Sequence, residues 1–321
     1  MKRTIPIAVA ALAAPLLLSA CGLSDDGGTD TPDVEAGEGV DSSALEGVSV
    51  SVGSKDFDEQ LLLGQLTLQM LKASGAEVSD DTNIQGSTAT RKALIGGDID
   101  VYYDYTGTGW ITYLGNDKPI ADAQEQYEAV AKDDLAQNGL IWGTPAPFNN
   151  TYAMAVTEEF AEENDLASLS DMATYMNENP DSTVCVESEF AERPDGIKGM
   201  VQAYDMTVPD SSIVKLGTGV IYQQIDQGEC TFGEVFTTDG RIATLGLIPL
   251  EDDKAFFPLY NGAPIVSEEN PDGEAILDTL EPLTETLTTE VMSELNAKVS
   301  SDGIPPADVA NEYLKDQGFI Q

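Results

Sequence analysis

Between residues 48 and 105 the chain switches repeatedly between two hydrophobic periods, and that switching constrains the fold more than any other feature. "VSVSV" (48–52) alternates with period two, as a half-buried strand does. After the turn "GSKD" (53–56), "FDEQLLLGQLTLQMLKASG" takes helical spacing, with Leu62, Leu66 and Met70 on one face. Asp56 or Asp58 is placed to cap its start, and Gly75 to end it. "EVSDDTNI", the turn "QGSTAT", the helical "TRKALIGGDID" with its Gly97 terminator, and the strand "DVYYDY" complete the order strand, helix, strand, helix, strand. Such an order requires crossover connections and predicts a mostly parallel sheet.

The middle of the chain repeats this logic. "STVCVES" (182–188) and "IVKLG" (213–217) read as strands, "GIKGMVQAYDM" and "TGVIYQQIDQGE" as helices, and "TFGEVFTTDGRI" (231–242) as a strand with its exit loop. The tail from "AILDTL" onward has helical spacing almost throughout. A central α/β block therefore interrupts an outer one. The expected architecture is α/β with two lobes: residues 47–149 and 259–321 form lobe I, and residues 150–258 form lobe II. Two chain crossings make a hinge, with a ligand cleft between the lobes.

Composition excludes several function classes. At 41% apolar residues the 321-residue chain can bury a core. Its 57 acidic against 15 basic residues leave a formal charge of −42, which rules against nucleic acid as a partner because phosphate binding needs a basic face. The absence of His removes Ser-His-Asp and Cys-His catalysis and the commonest metal ligand. Asp98, Asp100 and Asp104 lack the Gly and distal Glu of a calcium loop, and no Gly-Lys-Ser/Thr marks a phosphate loop. No metal and no cofactor are expected.

"MKRTIPIAVAALAAPLLLSAC" has a basic start, an apolar stretch from Ile5 to Leu18 and a small-residue end, the pattern of a signal peptide over 1–20. Leu18-Ser19-Ala20-Cys21 resembles a bacterial lipobox, which implies that Cys21 is lipidated and anchors the chain to the outer face of the cell membrane. Residues 21–46 are rich in Gly, Asp, Ser and Thr and read as a flexible tether. Outside the cytoplasm the two remaining cysteines, Cys185 and Cys230, suggest a disulfide, with two separate buried thiols as the alternative.

"VYYDYTGTGW" (101–110) crowds four rings beside two glycines. Ligands of open α/β sheets sit beyond the C-terminal strand ends. Five segments that end strands or cross between lobes finish in aromatic or basic residues: "GSKDF", "DYTGTGW", "FNNTYAMAV", "FTTDGRI" and "FFPLYNGAP". In the expected fold Tyr105, Tyr152, Phe236 and Tyr260 face one cleft, where electron-rich ring faces can cage a quaternary ammonium. Lys55 at a helix N-terminus, Thr108 between its two glycines and Arg193 in "EFAERPDG" supply donors for a carboxylate. Taken singly, each ring reads as core, Lys55 as a solvated cap residue and Arg193 as a surface ion pair.

Together, "GSKDFDEQLLLGQL", "ALIGGDIDVYYDYTGTGW", "FNNTYAMAV", "SEFAERPDGIKG", "FTTDGRI" and "LEDDKAFFPLYNGAP" resemble the substrate-binding proteins of osmoprotectant ABC importers for glycine betaine, carnitine, choline and proline betaine, in order and spacing from about residue 48 to the end. The resemblance implies a periplasmic-binding-protein-like fold, an aromatic box at Tyr105, Tyr152, Phe236 and Tyr260, and carboxylate contacts at Lys55, Thr108 and Arg193. Thr88, in "GSTATR", falls where a relative carries a specificity-tuning side chain. Phe236 departs from the family tyrosine: it keeps the ring face and loses the hydroxyl. The implied partners are a betaine-type ligand, a membrane permease and its ATPase subunits, with the binding protein itself a monomer. Related proteins of this pattern also take ergothioneine.

Three rival functions use the same residues. Paired acids such as Glu187 and Glu189, or Asp104, suit acid–base chemistry in an enzyme. A ligand-sensing lipoprotein would keep the cage without transport. An amino-acid importer would need an acid placed for an α-ammonium, which the ring-rich cleft does not favour.

Overall fold

The computed structural model describes Pro32 and residues 34–321, so the expected signal peptide and Cys21 lie outside the described residues. In chain order the elements are β1 (Ser49–Lys55), α1 (Asp58–Ala73), β2 (Glu77–Ile84), α2 (Ser87–Gly96), β3 (Val101–Tyr105), a π-helical turn (Thr108–Tyr113), α3 (Ala123–Asn138) and β4 (Leu140–Trp142). Next come β5 (Tyr152–Thr157), α4 (Glu158–Glu163), α5 (Leu169–Glu178), β6 (Val184–Val186), α6 (Ser188–Glu192), α7 (Ile197–Ala203), β7 (Ile213–Lys215), α8 (Thr218–Asp226), β8 (Phe232–Phe236), α9 (Arg241–Leu245) and β9 (Leu247–Pro249). The chain closes with β10 (Gly262–Ser267), α10 (Gly273–Thr286), α11 (Thr289–Ser300) and α12 (Pro306–Asp316).

The strands form two five-stranded sheets, in the orders β2-β1-β3-β10-β4 and β7-β6-β8-β5-β9. The fold is thus α/β with two lobes, and the chain passes between sheets twice, once after Trp142 and once after Pro249. The sheets are mixed rather than mostly parallel. β1 runs parallel to β2 and β3, and β6 to β7 and β8, but β5 and β10 are antiparallel to their neighbours. These two strands enter each sheet directly from the other lobe, with no crossover helix to reverse them. They therefore begin at the edge where the parallel strands end.

Residues of both periods explain the core. In β1 Val50 and Val52 point inward between exposed or half-buried serines. β3 is buried along its whole length because β1 and β10 flank it. α1 is buried on nearly every side, beyond the single stripe of Leu62, Leu66 and Met70, since it lies between β1–β2 and helices α10, α11 and α12. Neither Asp56 nor Asp58 caps α1. Phe57 holds the N-cap position, Asp58 is the first helical residue, and Asp56 accepts the Gly86 N–H at 3.2 Å.

The described part of the expected tether is docked. Leu45 is fully buried, and Val34 and Val40 pack on the same core. Glu35 and Gly37 pair with the backbone of Gln321 and Phe319 at 3.0 and 2.8 Å. Three scattered apolar residues and an antiparallel edge contact suffice to order a segment whose composition alone reads as unstructured.

Candidate functional site

Parallel strand ends and antiparallel strand starts converge on one edge, and the side chains there line a cleft of about 960 Å³. Lys55 ends β1, and Phe57 follows it. Tyr105 ends β3, with Thr108 opening the π-helical turn. Tyr152 starts β5 directly opposite Phe236, the last residue of β8. Arg193 follows α6, and Tyr260 lies two residues before β10. The lining thus includes Lys55, Tyr105, Thr108, Tyr152, Arg193, Phe236 and Tyr260.

The two glycines of "TGTGW" serve close approach. A Cβ at Gly107 would lie 2.8 Å from the Tyr260 ring, and one at Gly109 2.9 Å from the Trp142 ring. Both φ-neutral positions carry Gly because an aromatic ring lies against the backbone.

Thr88 is the exception among the expected residues. It is exposed on α2 and does not line the cleft. The wall there is Gln85, Gly86 and Ser87. α2 starts at Ser87, and one helical step of roughly 100° turns the next side chain away.

Five rings form the cleft's apolar end. Phe57 stacks on Phe236 at 5.2 Å and 12°, and on Tyr105 at 6.2 Å and 23°. Tyr152 meets Phe236 at 5.2 Å and 37°, and Tyr260 edge-on at 5.2 Å. Phe57 is not among the residues that the sequence points to: it opens the helical segment "FDEQLLL" and holds the N-cap of α1, although it also closes "GSKDF". Lys55 Nζ sits 4.9 Å over the Tyr105 ring, and the Arg193 guanidinium 5.5 Å over Tyr152 and 5.9 Å over Tyr260. Three of the five rings, Tyr105, Tyr152 and Tyr260, thus have a protein cation near one face, and among the described residues none lies over Phe57 or Phe236.

Hydrogen bonds fix the rings. The Tyr105 hydroxyl donates to Glu59 Oε1 at 2.7 Å. Glu59 also accepts from Asn150 (2.8 Å), Thr238 (2.5 Å) and Asn296 (2.7 Å), joining both sheets and α11. Burial pushes its carboxyl above the ordinary range despite these four donors. Tyr260 donates to Asp195 at 2.5 Å. Burial also holds the phenols of Tyr105, Tyr152 and Tyr260 well above their usual range, so they stay neutral.

The cationic donors are paired internally. Lys55 bonds Asp104 at 2.7 Å, and Arg193 makes a two-pronged contact to Asp195 at 2.8 and 2.7 Å. Arg193 Nη1 reaches Glu189 at 3.2 Å and the Thr108 hydroxyl at 3.4 Å. Glu189 is pushed up by burial, but Lys55, Ser87 and Arg193 outweigh that and hold it below the ordinary carboxylate range. Glu187, on the same wall, is pushed up to about 7 by burial and by repulsion from Glu189 and Asp56. Behind it Glu234 is raised well above the usual range by burial and by Glu187, and its Oε1 has no partner among the described residues.

Away from the cleft, Cys185 in β6 and Cys230 before β8 are disulfide-bonded, with Cα atoms 5.7 Å apart. Among the described residues no group of three His, Cys, Asp or Glu side chains is arranged to hold a metal, and no helix is long and apolar enough to cross a membrane.

Residues 48–316 match the family described as the substrate binding domain of ABC-type glycine betaine transport system. A glycine-betaine-binding protein of Pseudomonas aeruginosa is 37% identical over 85% of this chain and 89% of its own length. The solved structure of apo YehZ from Escherichia coli superposes with a TM-score of 0.60, at 33% identity, covering 84% of this chain and 99% of that one. An ergothioneine transport permease/ergothioneine binding protein of Helicobacter pylori, EgtU, is 31% identical over 86% of this chain and 49% of its own length.

Proposed function

This chain belongs to the family of substrate-binding domains of ABC-type glycine betaine transport systems, and on that premise we propose that its cleft captures a quaternary-ammonium compound, glycine betaine or a related betaine, for delivery to a membrane permease. The observation that carries this reading is the convergence of Phe57, Tyr105, Tyr152, Phe236 and Tyr260, drawn from both sheets, on one cleft. A methylated nitrogen donates no hydrogen bond, so ring faces are the surface that suits it, each contributing about 1–2 kcal/mol once desolvated. The ligand's carboxylate would turn toward Lys55, Thr108 and Arg193, which lie at the polar side of the rings. Lobe closure would exclude water and strengthen both poles.

Substrate-binding domains of ABC importers work outside the cytoplasm. The leader and Cys21 would anchor this chain there by a lipid, with ATPase subunits of the importer driving uptake. The module would bind without turnover, and Glu187 and Glu189 would shape the cleft rather than act in acid–base catalysis.

A second ligand reading follows from size. The cleft's roughly 960 Å³ extends past the rings to Glu187, Thr218 and Gln223, room for a betaine carrying a heteroaromatic ring, as in ergothioneine. Calorimetric titration of the purified protein with glycine betaine, carnitine, proline betaine, choline and ergothioneine tests both readings. Heat from none of them would defeat the cage. Uptake by cells with and without the protein separates transport from ligand sensing.

A further inference from the structure

The anionic pole of the cleft is already filled by the protein's own carboxylates. The turn before α2 offers backbone N–H groups to the cleft, and two of them are taken: Gly86 N–H by Asp56 at 3.2 Å, and Ser87 N–H by Glu189 Oε2 at 3.0 Å. Glu189 Oε1 also accepts the Ser87 hydroxyl at 2.6 Å and Arg193 Nη1 at 3.2 Å. A helix N-terminal amide, a hydroxyl and a guanidinium are the set of donors that a ligand carboxylate would seek. Glu189 reaches them from α6 of one sheet's lobe, whereas Ser87 belongs to the other. About a third of its side chain remains exposed, so it can swing out toward solvent.

We propose that Glu189 is a built-in competitor for the ligand's carboxylate and so sets which quaternary amines this cleft prefers. The inference rests on the betaine reading above and deepens it. A betaine must displace Glu189 to reach Arg193 and the Ser87 amide, and that exchange costs affinity. A quaternary amine without a carboxylate, such as choline, leaves Glu189 in place and keeps the contact between the lobes. Lys55 does not offset this, because Asp104 already binds it. The ratio of betaine to choline affinity is therefore held down by one side chain.

The test is calorimetry with glycine betaine and choline on the full chain carrying Glu189→Gln or Glu189→Ala, beside the unaltered protein. The expected result is a ratio of glycine betaine to choline affinity raised about tenfold or more in both variants, with choline itself unchanged or weakened by up to about fivefold, because the lost carboxylate also attracts its cation. Glu189→Asp, one methylene too short to hold the Ser87 amide, its hydroxyl and Arg193 together, should shift the ratio the same way by a smaller factor and, as the mildest change, guards against a variant that fails to fold. If both ligands move together, or neither moves, Glu189 is only a contact between lobes and the inference is overturned. If the unaltered protein and all variants bind neither ligand, the cage reading fails and this inference falls with it; that pattern is distinct from an unchanged ratio.

Discussion

Phe57 and Phe236 lie 5.2 Å apart and only 12° from parallel, although one follows the end of β1 and the other ends β8 in the second sheet. Rings in direct stacking leave no gap for a trimethylammonium group between them, so binding must part this pair or use its flanks. In either case Phe57 presents a face to the cleft. Phe57→Ala is expected to weaken quaternary-ammonium binding by about 5- to 30-fold, the equivalent of 1–2 kcal/mol. Phe57→Leu keeps the bulk and loses the π face, so it should lose nearly as much. Full affinity in the leucine variant would assign Phe57 to packing alone.

Glu59 is buried to 4% exposure and receives four donors from Tyr105, Asn150, Thr238 and Asn296. Glu59→Ala would strand all four inside the protein. A loss of about 2–4 kcal/mol in stability is expected, seen as a melting temperature lower by roughly 5–15 °C. Ligand affinity should fall as well, since Tyr105 loses its anchor. Melting unchanged within a degree would show that Asn and Thr partners rearrange freely.

Much of this was legible from strand ends. Tyr105, Tyr152, Phe236 and Tyr260 could be placed together because each sits at a change of period or a crossing, where an α/β fold gathers its loops. Sheet direction was not legible: nothing in "YAMAVT" or "GAPIVS" encodes strand direction, and only their entry from the other lobe makes β5 and β10 antiparallel. Glu59 is one of 57 acidic residues with nothing local to mark it, and its farthest partner is 237 positions away; Glu189 stands out only as half of the Glu187–Glu189 pair, which does not point to its contact with Ser87, 102 positions away. Thr88 follows from the resemblance alone, and a match of motifs does not fix which way a side chain turns: on α2 Thr88 faces out of the cleft and its neighbour Ser87 lines it. Val34, Val40 and Leu45 lack any period, so their docking depends on a surface built elsewhere in the chain.

Cys185 and Cys230 join β6 to the segment before β8, across strands that already pair at Val184–Phe232 and Cys185–Gly233. The bond adds little to a register that the ladder sets and acts mainly on the unfolded chain. With a sequence separation of 45, it should contribute up to about 4 kcal/mol. The double variant Cys185→Ala/Cys230→Ala is expected to melt lower by that measure while binding its ligand with unchanged affinity, because neither sulfur reaches the cleft. A matching loss of affinity would mean that the bridge also positions Phe236.

Glu187 gives the cleft a pH response near neutrality. Burial, and then repulsion from Glu189 and Asp56, push its carboxyl up to about 7 from the ordinary 4.5, with Thr218 and Arg241 pulling it down. Glu234 faces it from β8 and is raised as well by burial and by Glu187. Between pH 4.5 and 7 the folded chain thus holds a proton that the unfolded chain has released. The stability tied to this group is complete below about pH 4.5 and is lost as pH rises through about 7. Ligand binding should respond in the opposite sense: as Glu187 ionises, a cation in the cleft gains an attractive charge, and choline affinity should rise about two- to fivefold from pH 6 to pH 8. Glu187→Gln should flatten both curves, since it leaves the volume and removes the charge. Melting curves and calorimetry at pH 5, 6, 7 and 8 on both proteins check this, and a Gln variant that keeps either slope would move the response to another group.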